Sequence, residues 1–198
     1  MMNKIALKTE NLSKIYDKGR NKALSNLTLA VEQGEIFGLL GPNGAGKTTF
    51  LNILAGTVNK TSGIVEVWGF NLDESPRQVR ASIGIVPQEV NLDAFFNPED
   101  LLDLQSGLYG VKKSEKITKT ILEMVSLEKN SKSYARNLSG GMKRRLLIAK
   151  AMVHQPPILV LDEPTAGVDV ELRKNLWENV KKLNKIGVTI ILTTHYLS

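Results

Sequence analysis

The sequence predicts an α/β fold that combines a parallel sheet with an inserted helical subdomain. Short apolar runs typical of buried strands alternate with stretches of helical spacing toward both ends of the chain, which is the pattern of a parallel sheet. Between Asn97 and Ala151 the β-branched runs vanish and helical spacing dominates, which predicts the insert. The 198 residues are enough for one domain with a hydrophobic core and a satellite subdomain.

The expected strands differ in how their two faces are covered. Residues 4–8 and 26–31 alternate apolar and polar side chains, as half-buried strands do. Residues 36–40 form a continuous apolar run, which predicts a short strand buried on both faces. Comparable apolar runs predict further strands at residues 64–67, 83–86, 158–161 and 188–192.

Helical spacing of apolar residues, together with start and stop signals, predicts the helices. In the middle of the chain, Asn97-Pro98-Glu99 is a start signal and Gly110 a stop signal for one of them. Pro156-Pro157 ends another. The expected helices span residues 47–55, 97–110, 117–125, 142–153 and 170–185.

Composition places the chain among ordinary globular proteins. Hydrophobic residues make up 42% of the chain and charged residues 23%, and the net charge is +6. The lysines are scattered apart from the basic cluster at residues 143–145, so charge alone does not favour nucleic acid as a partner. There is no cysteine, which excludes disulfides and thiolate metal sites. No apolar run approaches the roughly 18–20 residues that span a bilayer, so we expect a cytoplasmic chain.

The glycine-rich stretch after residue 40 has the spacing of a phosphate-binding loop. Gly41 and Gly46 enclose four residues and are followed by Lys47 and Thr48, between an expected strand and an expected helix. Glycines let the backbone wrap phosphates with its N–H groups, and the helix N-terminus adds a positive dipole end. Lys47 can reach the β- and γ-phosphates, and the Thr48 hydroxyl can ligate Mg²⁺. A glycine-rich turn without a ligand is the disfavoured alternative.

Two further motifs gain weight from this loop. The run at residues 158–161 is followed by Asp162, which would hold Mg²⁺ through water, and by Glu163, which would orient or deprotonate the attacking water. Many strands end in acidic residues, so this pattern counts only together with the loop. Leu138-Ser139-Gly140-Gly141 has the composition of a helix N-cap, but its hydroxyl and bare N–H groups also suit an anion.

In their order and spacing, these motifs resemble those of the ABC-transporter ATPase family, and the resemblance covers essentially the whole chain. It implies a P-loop NTPase core of the RecA-like type, with an N-terminal antiparallel β subdomain. Residues 1–88 and 156–198 would form the nucleotide-binding core, and residues 89–155 the helical subdomain. Family members continue for another strand or two and helices, so a truncated C-terminal end is expected. The matching segments are 41–48, Gln88, 138–141, 158–163, 166–169 and His195.

The resemblance implies roles for residues that are otherwise anonymous. Tyr16 matches the aromatic residue that stacks on adenine, and Gln88 the glutamine that contacts Mg²⁺ and the attacking water. Asp169 resembles an aspartate that reports across a dimer, and His195 a histidine that contacts the γ-phosphate. Taken alone, Tyr16 is as readily a partly buried tyrosine near a turn, and Gln88 is a polar loop residue. A lone histidine at a strand end, such as His195, is usually structural. The implied catalytic residues are Lys47, Gln88, Glu163 and His195, and the metal ligands are Thr48, Gln88 and Asp162. The implied nucleotide-binding residues are Tyr16, Gly41, Pro42, Asn43, Gly44, Ala45, Gly46, Lys47, Thr48, Thr49, Ser139, Gly140, Gly141 and Asp169.

The implied function is that of an ATP-hydrolysing subunit that powers an ABC membrane transporter, most like exporters whose permease is a separate chain. The implied cofactors are ATP and Mg²⁺. The implied partners are a transmembrane permease at the cytoplasmic face of the membrane and a second ATPase subunit, which is either a second copy or a different chain. Phe95 and Phe96 follow the segment where the family docks a permease helix, and each either faces that partner or packs inward. Two alternatives remain: a soluble ABC-type ATPase acting on nucleic acid or ribosomes, and a non-catalytic ATP-binding module.

Overall fold

The structure, a computed structural model, describes residues 4–16, 21–165 and 170–194. Within these ranges the strands form two sheets of four, one antiparallel and one parallel. The strands are β1 (Ile5–Tyr16), β2 (Asn21–Glu32), β3 (Ile36–Leu40), β4 (Ser62–Val67), β5 (Phe70–Asn71), β6 (Ile83–Val86), β7 (Ile158–Leu161) and β8 (Thr189–Thr194). The helices are α1 (Lys47–Leu54), α2 (Pro76–Ala81), α3 (Pro98–Leu108), α4 (Thr118–Met124), α5 (Gly140–Met152) and α6 (Val170–Lys185).

The antiparallel sheet has the strand order β2-β1-β4-β5. The β1–β2 pair runs from Ile5 opposite Glu32 to Tyr16 opposite Asn21, with bulges between. Alternation of apolar and polar residues buries one face of this sheet, and Leu7 is among the buried residues. The N-terminal antiparallel subdomain expected from the sequence is therefore confirmed.

The parallel sheet has the strand order β3-β8-β7-β6. All four residues of β7 are buried, as expected of a central strand in a sheet covered on both faces. The carboxyl ends of parallel strands lie at one edge, so the loops that follow β3, β6 and β7 meet there. This edge carries the candidate site.

One expectation about the parallel sheet is wrong. Residues 36–40 were expected to be buried on both faces, but Ile36 is 40% and Leu40 51% exposed. The reason is that β3 is an edge strand of the described sheet, and only one of its faces, with Phe37 and Leu39, packs onto a hydrophobic core. A continuous apolar run does not distinguish an edge strand from a central one.

The helical insert packs against the parallel sheet through a shared core. Leu102 of α3, Ile121 of α4 and Leu146 of α5 are fully buried in one cluster with Leu159 of β7. Each of these helices follows the apolar spacing seen in the sequence, and Asn97 caps α3 by accepting a hydrogen bond from the Asp100 N–H. The α/β fold with a helical insert is therefore confirmed. None of the described helices has the length and apolar character needed to cross a membrane.

Candidate functional site

The loop between β3 and α1 is shaped by a glycine that no other residue can replace without a clash. Gly46 has a φ of +89° and precedes the first residue of α1. A Cβ on Gly46 would lie 2.2 Å from the Ala23 carbonyl oxygen of β2. The loop follows β3 of the parallel sheet and β2 belongs to the antiparallel sheet, so this contact joins the two sheets. The loop backbone is thus pressed against β2 with no room for a side chain.

Lys47 is buried within this loop. Its side chain is 8% exposed, and Nζ donates hydrogen bonds to the carbonyl oxygens of Gly41 (2.5 Å) and Pro42 (3.0 Å). A buried ammonium needs such partners, because desolvation without them is costly. The arrangement holds a positive charge against two loop carbonyls at the start of α1.

The two acidic residues after β7 are held by a side chain that the sequence did not single out. Thr193 of β8 donates from Oγ1 to Asp162 Oδ1 (2.6 Å), and Thr193 Oγ1 accepts from the Glu163 N–H (2.9 Å). Glu163 has a φ of +44°, a left-handed conformation that costs a non-glycine residue about 1–2 kcal/mol. Such strain is typical of functional sites and is maintained here by the bond to Thr193.

Glu163 brings three predicted catalytic residues together. Glu163 Oε2 accepts a hydrogen bond from Gln88 Nε2 at 3.2 Å, and Glu163 Oε1 lies 3.8 Å from Lys47 Nζ. The Glu163 side chain is only 12% exposed. The Gln88–Glu163 bond follows from the parallel pairing of Val86 with Leu161, because this pairing places the carboxyl ends of β6 and β7 next to each other. A carboxylate, an amide and an ammonium thus converge at one point.

These side chains line a cleft of about 630 Å³, a size typical of small-molecule sites. Three residues at the start of β2, Asn21, Lys22 and Ala23, line it as well and were missed by sequence reasoning. No local pattern marks them, because they reach the cleft through the pairing of β2 with β1. The predicted residues that line the cleft are Asn43, Gly44, Gly46, Lys47, Thr48, Thr49, Gln88 and Glu163.

Other predicted residues lie beside the cleft or away from it. Tyr16 is half-buried at the end of β1, opposite Asn21, and its ring centroid is 4.7 Å from Lys14 Nζ. Ser139 caps α5 by accepting a hydrogen bond from the Met142 N–H at 3.3 Å. None of residues 139–141 lines the cleft of this chain. Asp169, with the rest of residues 166–169, and His195 lie outside the described residues.

The two phenylalanines behave differently. Phe95 is 72% exposed, and its ring centroid lies 5.6 Å from the Arg136 guanidinium carbon. Phe96 is partly buried and packs against the core of the helical insert. One aromatic ring therefore faces outward and the other inward.

The donor set around the loop fits a hard cation. The predicted ligands, a threonine hydroxyl (Thr48), a carboxylate (Asp162) and a glutamine amide oxygen (Gln88), would offer the oxygen donors that Mg²⁺ prefers. In the part of the chain that the structure describes, no group of three or more His, Cys, Asp or Glu residues is placed to hold a metal ion. This does not count against Mg²⁺, because it is commonly bound by one or two carboxylates together with substrate phosphates.

Comparison of the sequence with known proteins gives a family and relatives. A family model described as ABC transporter matches residues 24–166. The linearmycin resistance ATP-binding protein LnrL of Bacillus subtilis is 38% identical over 193 residues, which cover 96% of this chain and 61% of the relative. The Nod factor export ATP-binding protein I of Cupriavidus metallidurans is 40% identical over 194 residues, which cover 96% of this chain and 63% of the relative. The chain thus spans about three fifths of the length of these relatives.

Comparison of the fold with solved structures agrees. The ATP-binding subunit of an ABC transporter superimposes with a TM-score of 0.83 at 29% identity, covering 97% of this chain and 80% of that one. A dimeric post-hydrolysis state of an ATP-binding cassette, bound to ADP and Pi, gives a TM-score of 0.80 at 29% identity, covering 96% and 88%. The fold class expected from the sequence is confirmed by both.

Proposed function

The chain belongs to the ABC transporter family, and we propose that it binds and hydrolyses ATP to power a membrane transporter. The observation that carries this proposal is the convergence of Lys47, Gln88 and Glu163 on a cleft lined by a phosphate loop. The names of the relatives, which are ATP-binding proteins of export and resistance systems, favour export as the direction.

For nucleotide binding, the backbone N–H groups of residues 41–48 would surround the phosphates, and α1 would direct its N-terminal dipole at them. Lys47 Nζ would exchange its bonds to the loop carbonyls for phosphate oxygens, which a charge-assisted bond favours. Thr49 and Asn43 complete the wall of the cleft. Tyr16, at the end of β1 beside Asn21, would stack on the adenine ring.

For hydrolysis, Glu163 would accept a proton from the attacking water or orient that water, with Gln88 holding the carboxylate by its amide N–H. Lys47 would stabilise charge on the transferred phosphoryl group. Because the Thr193 hydroxyl binds the Glu163 N–H and the Gln88 amide binds its carboxylate, we expect that carboxylate to enter the reaction already oriented. His195 is proposed to contact the γ-phosphate, as the family resemblance implies.

We propose that Thr48, Asp162 and Gln88 hold Mg²⁺ together with the phosphates. The ion, when bound, neutralises charge that develops on the phosphate oxygens. Thr193 would orient the Asp162 carboxylate toward this position, since it occupies one oxygen of that carboxylate and leaves the second for the ion or its water.

A second ATPase subunit would complete the site. Ser139 and Gly140 are exposed at the start of α5, and residues 139–141 do not line the cleft of their own chain. A hydroxyl and free N–H groups at a helix start bind anions. We propose that they bind the γ-phosphate held by the partner chain, with Asp169 reporting across the dimer, so that ATP stabilises the pair and hydrolysis releases it. The transporter would be completed by a transmembrane permease at the cytoplasmic face of the membrane.

Phosphate release and ATP binding test the enzymatic proposal. We expect the wild-type chain to turn over Mg-ATP, and Glu163→Gln to lose at least about 100-fold in turnover while it still binds ATP. Light scattering should show Glu163→Gln as a dimer with saturating Mg-ATP and a monomer without it. A folded wild-type chain that binds ATP without turnover would instead indicate a non-catalytic module.

Co-purification tests the transport proposal separately. The tagged chain, extracted from detergent-solubilised membranes of its own host, should bring a multi-span permease with it. Ribosomes or DNA-bound proteins without a membrane protein, together with turnover that nucleic acid stimulates, would contradict the transport role and leave the ATPase activity intact.

A further inference from the structure

The segment that carries Gln88 is hydrogen-bonded to the surrounding elements at Gln88 and again near its far end. It leaves β6 after Val86 and reaches α3 at Pro98, without regular secondary structure between. In the described ranges, both hydrogen bonds that connect residues 87–93 to other elements involve Gln88. Its side-chain amide donates to Glu163, and its backbone carbonyl accepts from Arg144 Nη1 at 3.0 Å.

Arg144 lies on α5, in the second turn after the Ser139 cap. Its guanidinium is half-buried, and burial lowers the pKa of Arg144, although an arginine stays charged at neutral pH. The bond to the Gln88 carbonyl is therefore charge-assisted, and such bonds are stronger than neutral ones. Loss of this bond would leave the carbonyl of Gln88 to water or to no partner.

The neighbouring Arg145 binds a different part of the structure from Arg144. Arg145 Nη1 donates to the carbonyl oxygens of Val125 (2.8 Å) and Ser126 (2.9 Å), which directly follow α4. Arg145 thus joins α5 to its own subdomain, whereas Arg144 joins α5 to the segment that touches the catalytic carboxylate. The sequence alone does not distinguish these two adjacent basic residues.

The far end of the same segment is also joined to the helical insert. The Ala135 N–H donates to the Phe96 carbonyl (2.9 Å), and the Arg136 N–H donates to the Ala94 carbonyl (3.3 Å). Residues 135–137 form a short 3₁₀ helix that leads into Ser139, the N-cap of α5. The helical insert is therefore hydrogen-bonded to this segment at both ends, at residues 94–96 and, through Arg144, at Gln88. A shift of the insert relative to the parallel sheet would displace the segment at both points.

We propose that Arg144 is a positioning residue that makes the orientation of Glu163 depend on the position of α5, through Gln88. The inference rests on the proposed function, in which Glu163 acts on the attacking water. The Arg144–Gln88 bond is the contact through which a movement of the helical insert changes the position of that carboxylate. Displacement of α5 by a few ångströms breaks a 3.0 Å bond, frees the Gln88 backbone and removes the amide that holds Glu163 Oε2.

Steady-state kinetics give the first test, and the control is the replacement of another basic residue of the insert by methionine. Arg144→Met removes the donor, and we expect kcat to fall about tenfold while KM for ATP stays within about twofold, because the phosphate loop is untouched. Arg144→Lys, which retains a charged donor, should recover part of the loss. Lys132→Met removes a basic residue that pairs with Glu99 within the insert, and it should leave kcat unchanged. Equal kcat values for Arg144→Met and Lys132→Met would overturn the proposal, as would a rise in KM that accounts for the whole effect.

A double-mutant cycle asks whether Arg144 acts through the Gln88 side chain. Gln88→Ala removes the amide, so adding Arg144→Met to it should lower kcat by less than about twofold further. If the effects of Gln88→Ala and Arg144→Met on kcat multiply instead, Arg144 acts by another route and the proposal fails.

A spin label tests the contact without reference to activity. The chain has no cysteine, so Val90→Cys introduces one labelling site, at an exposed residue two positions after Gln88. The nitroxide should become more mobile when Arg144→Met is added and should not change with Lys132→Met. Unchanged mobility would show that Arg144 does not hold the segment. A wild-type chain without ATPase activity would contradict the proposed function, and label mobility would still decide the role of Arg144.

Discussion

Thr193 Oγ1 donates a 2.6 Å hydrogen bond to Asp162 Oδ1, from β8 to the end of the neighbouring strand β7. The same hydroxyl oxygen accepts the Glu163 N–H at 2.9 Å, so one side chain fixes both acidic residues. Thr193 is fully buried, and a buried hydrogen bond is not weakened by exchange with water. The orientation of the acidic pair is therefore built into the sheet.

Replacement of this threonine by its isostere should reduce turnover. Thr193→Val removes a donor and an acceptor without changing shape, which leaves Asp162 and the Glu163 N–H without this partner. We expect kcat to fall about tenfold and the free energy of unfolding to fall by about 1–3 kcal/mol. Thr189→Val is the matched control: it removes a hydroxyl on the same strand, which accepts from the Gly34 N–H far from the cleft. A similar loss of kcat in both variants would contradict the special role of Thr193.

Two glycines of the phosphate loop should respond differently to alanine. Both have a positive φ, but a Cβ on Gly46 would lie 2.2 Å from the Ala23 carbonyl oxygen, whereas one on Gly44 meets nothing within 4 Å. Gly46→Ala must move the loop away from β2, so we expect the Kd for ATP to rise more than about tenfold and to exceed that of Gly44→Ala. Titration with a fluorescent ATP analogue measures both. Equal affinities would show that backbone strain, common to both sites, dominates over the clash.

Local motifs predicted the parts of the site that lie close together in sequence. The loop at residues 41–48 and the acidic pair after 158–161 each depend on a short stretch of chain, in which glycine geometry or strand polarity dictates the structure. The strands at 83–86 and 158–161 were predicted with their correct bounds, because apolar runs between turn signals are local as well. The pairing of Val86 with Leu161, which brings Gln88 to Glu163, follows only from the strand order.

The residues that sequence reasoning missed depend on long-range pairing. Thr193 reaches Asp162 because Leu161 pairs with Leu192, and no pattern near either residue states that register. Lys22 of β2 lines the same cleft as Lys47 of the loop, although the two lysines are about 25 residues apart in the chain. The exposure of Ile36 and Leu40 was missed for the same reason, since edge position belongs to the sheet and not to the strand.

The lysine that β2 adds to the cleft should affect affinity more than turnover. Lys22 places a positive charge near the phosphate loop, but it lies outside the cluster around Glu163. We expect Lys22→Met to raise KM for ATP about twofold to fivefold with kcat unchanged, and the difference to shrink at high salt because screening weakens the attraction. Lys60→Met, which removes a lysine paired with Asp73, serves as control. A loss of kcat without a change in KM would place Lys22 in the chemical step instead.

A histidine outside the cleft should make stability depend on pH. His154 stacks on Tyr109 with ring centroids 3.7 Å apart, and its Nε2 donates to the Ile83 carbonyl at 3.2 Å. Since Nε2 carries the hydrogen, Nδ1 is the position that would protonate, and it is buried without a hydrogen-bond partner. Burial lowers the pKa of His154 from its ordinary value of 6.5, and the bond to Ile83 opposes this only partly.

The sign of the effect follows from proton binding. Below pH 6.5 the unfolded chain binds a proton at His154, whereas the folded chain does not until the pH reaches its lower pKa. The free energy of unfolding therefore decreases as the pH falls through this range, by up to about 1.4 kcal/mol per pH unit. Urea unfolding at pH 7.5 and pH 5.5 should therefore show a larger loss in the wild type than in His154→Gln, which has no titratable ring. Other groups titrate in both proteins, so their contributions cancel in the comparison. An equal loss in the two proteins would mean that the folded chain accommodates the His154 proton, and that the buried Nδ1 gains a partner when it is charged.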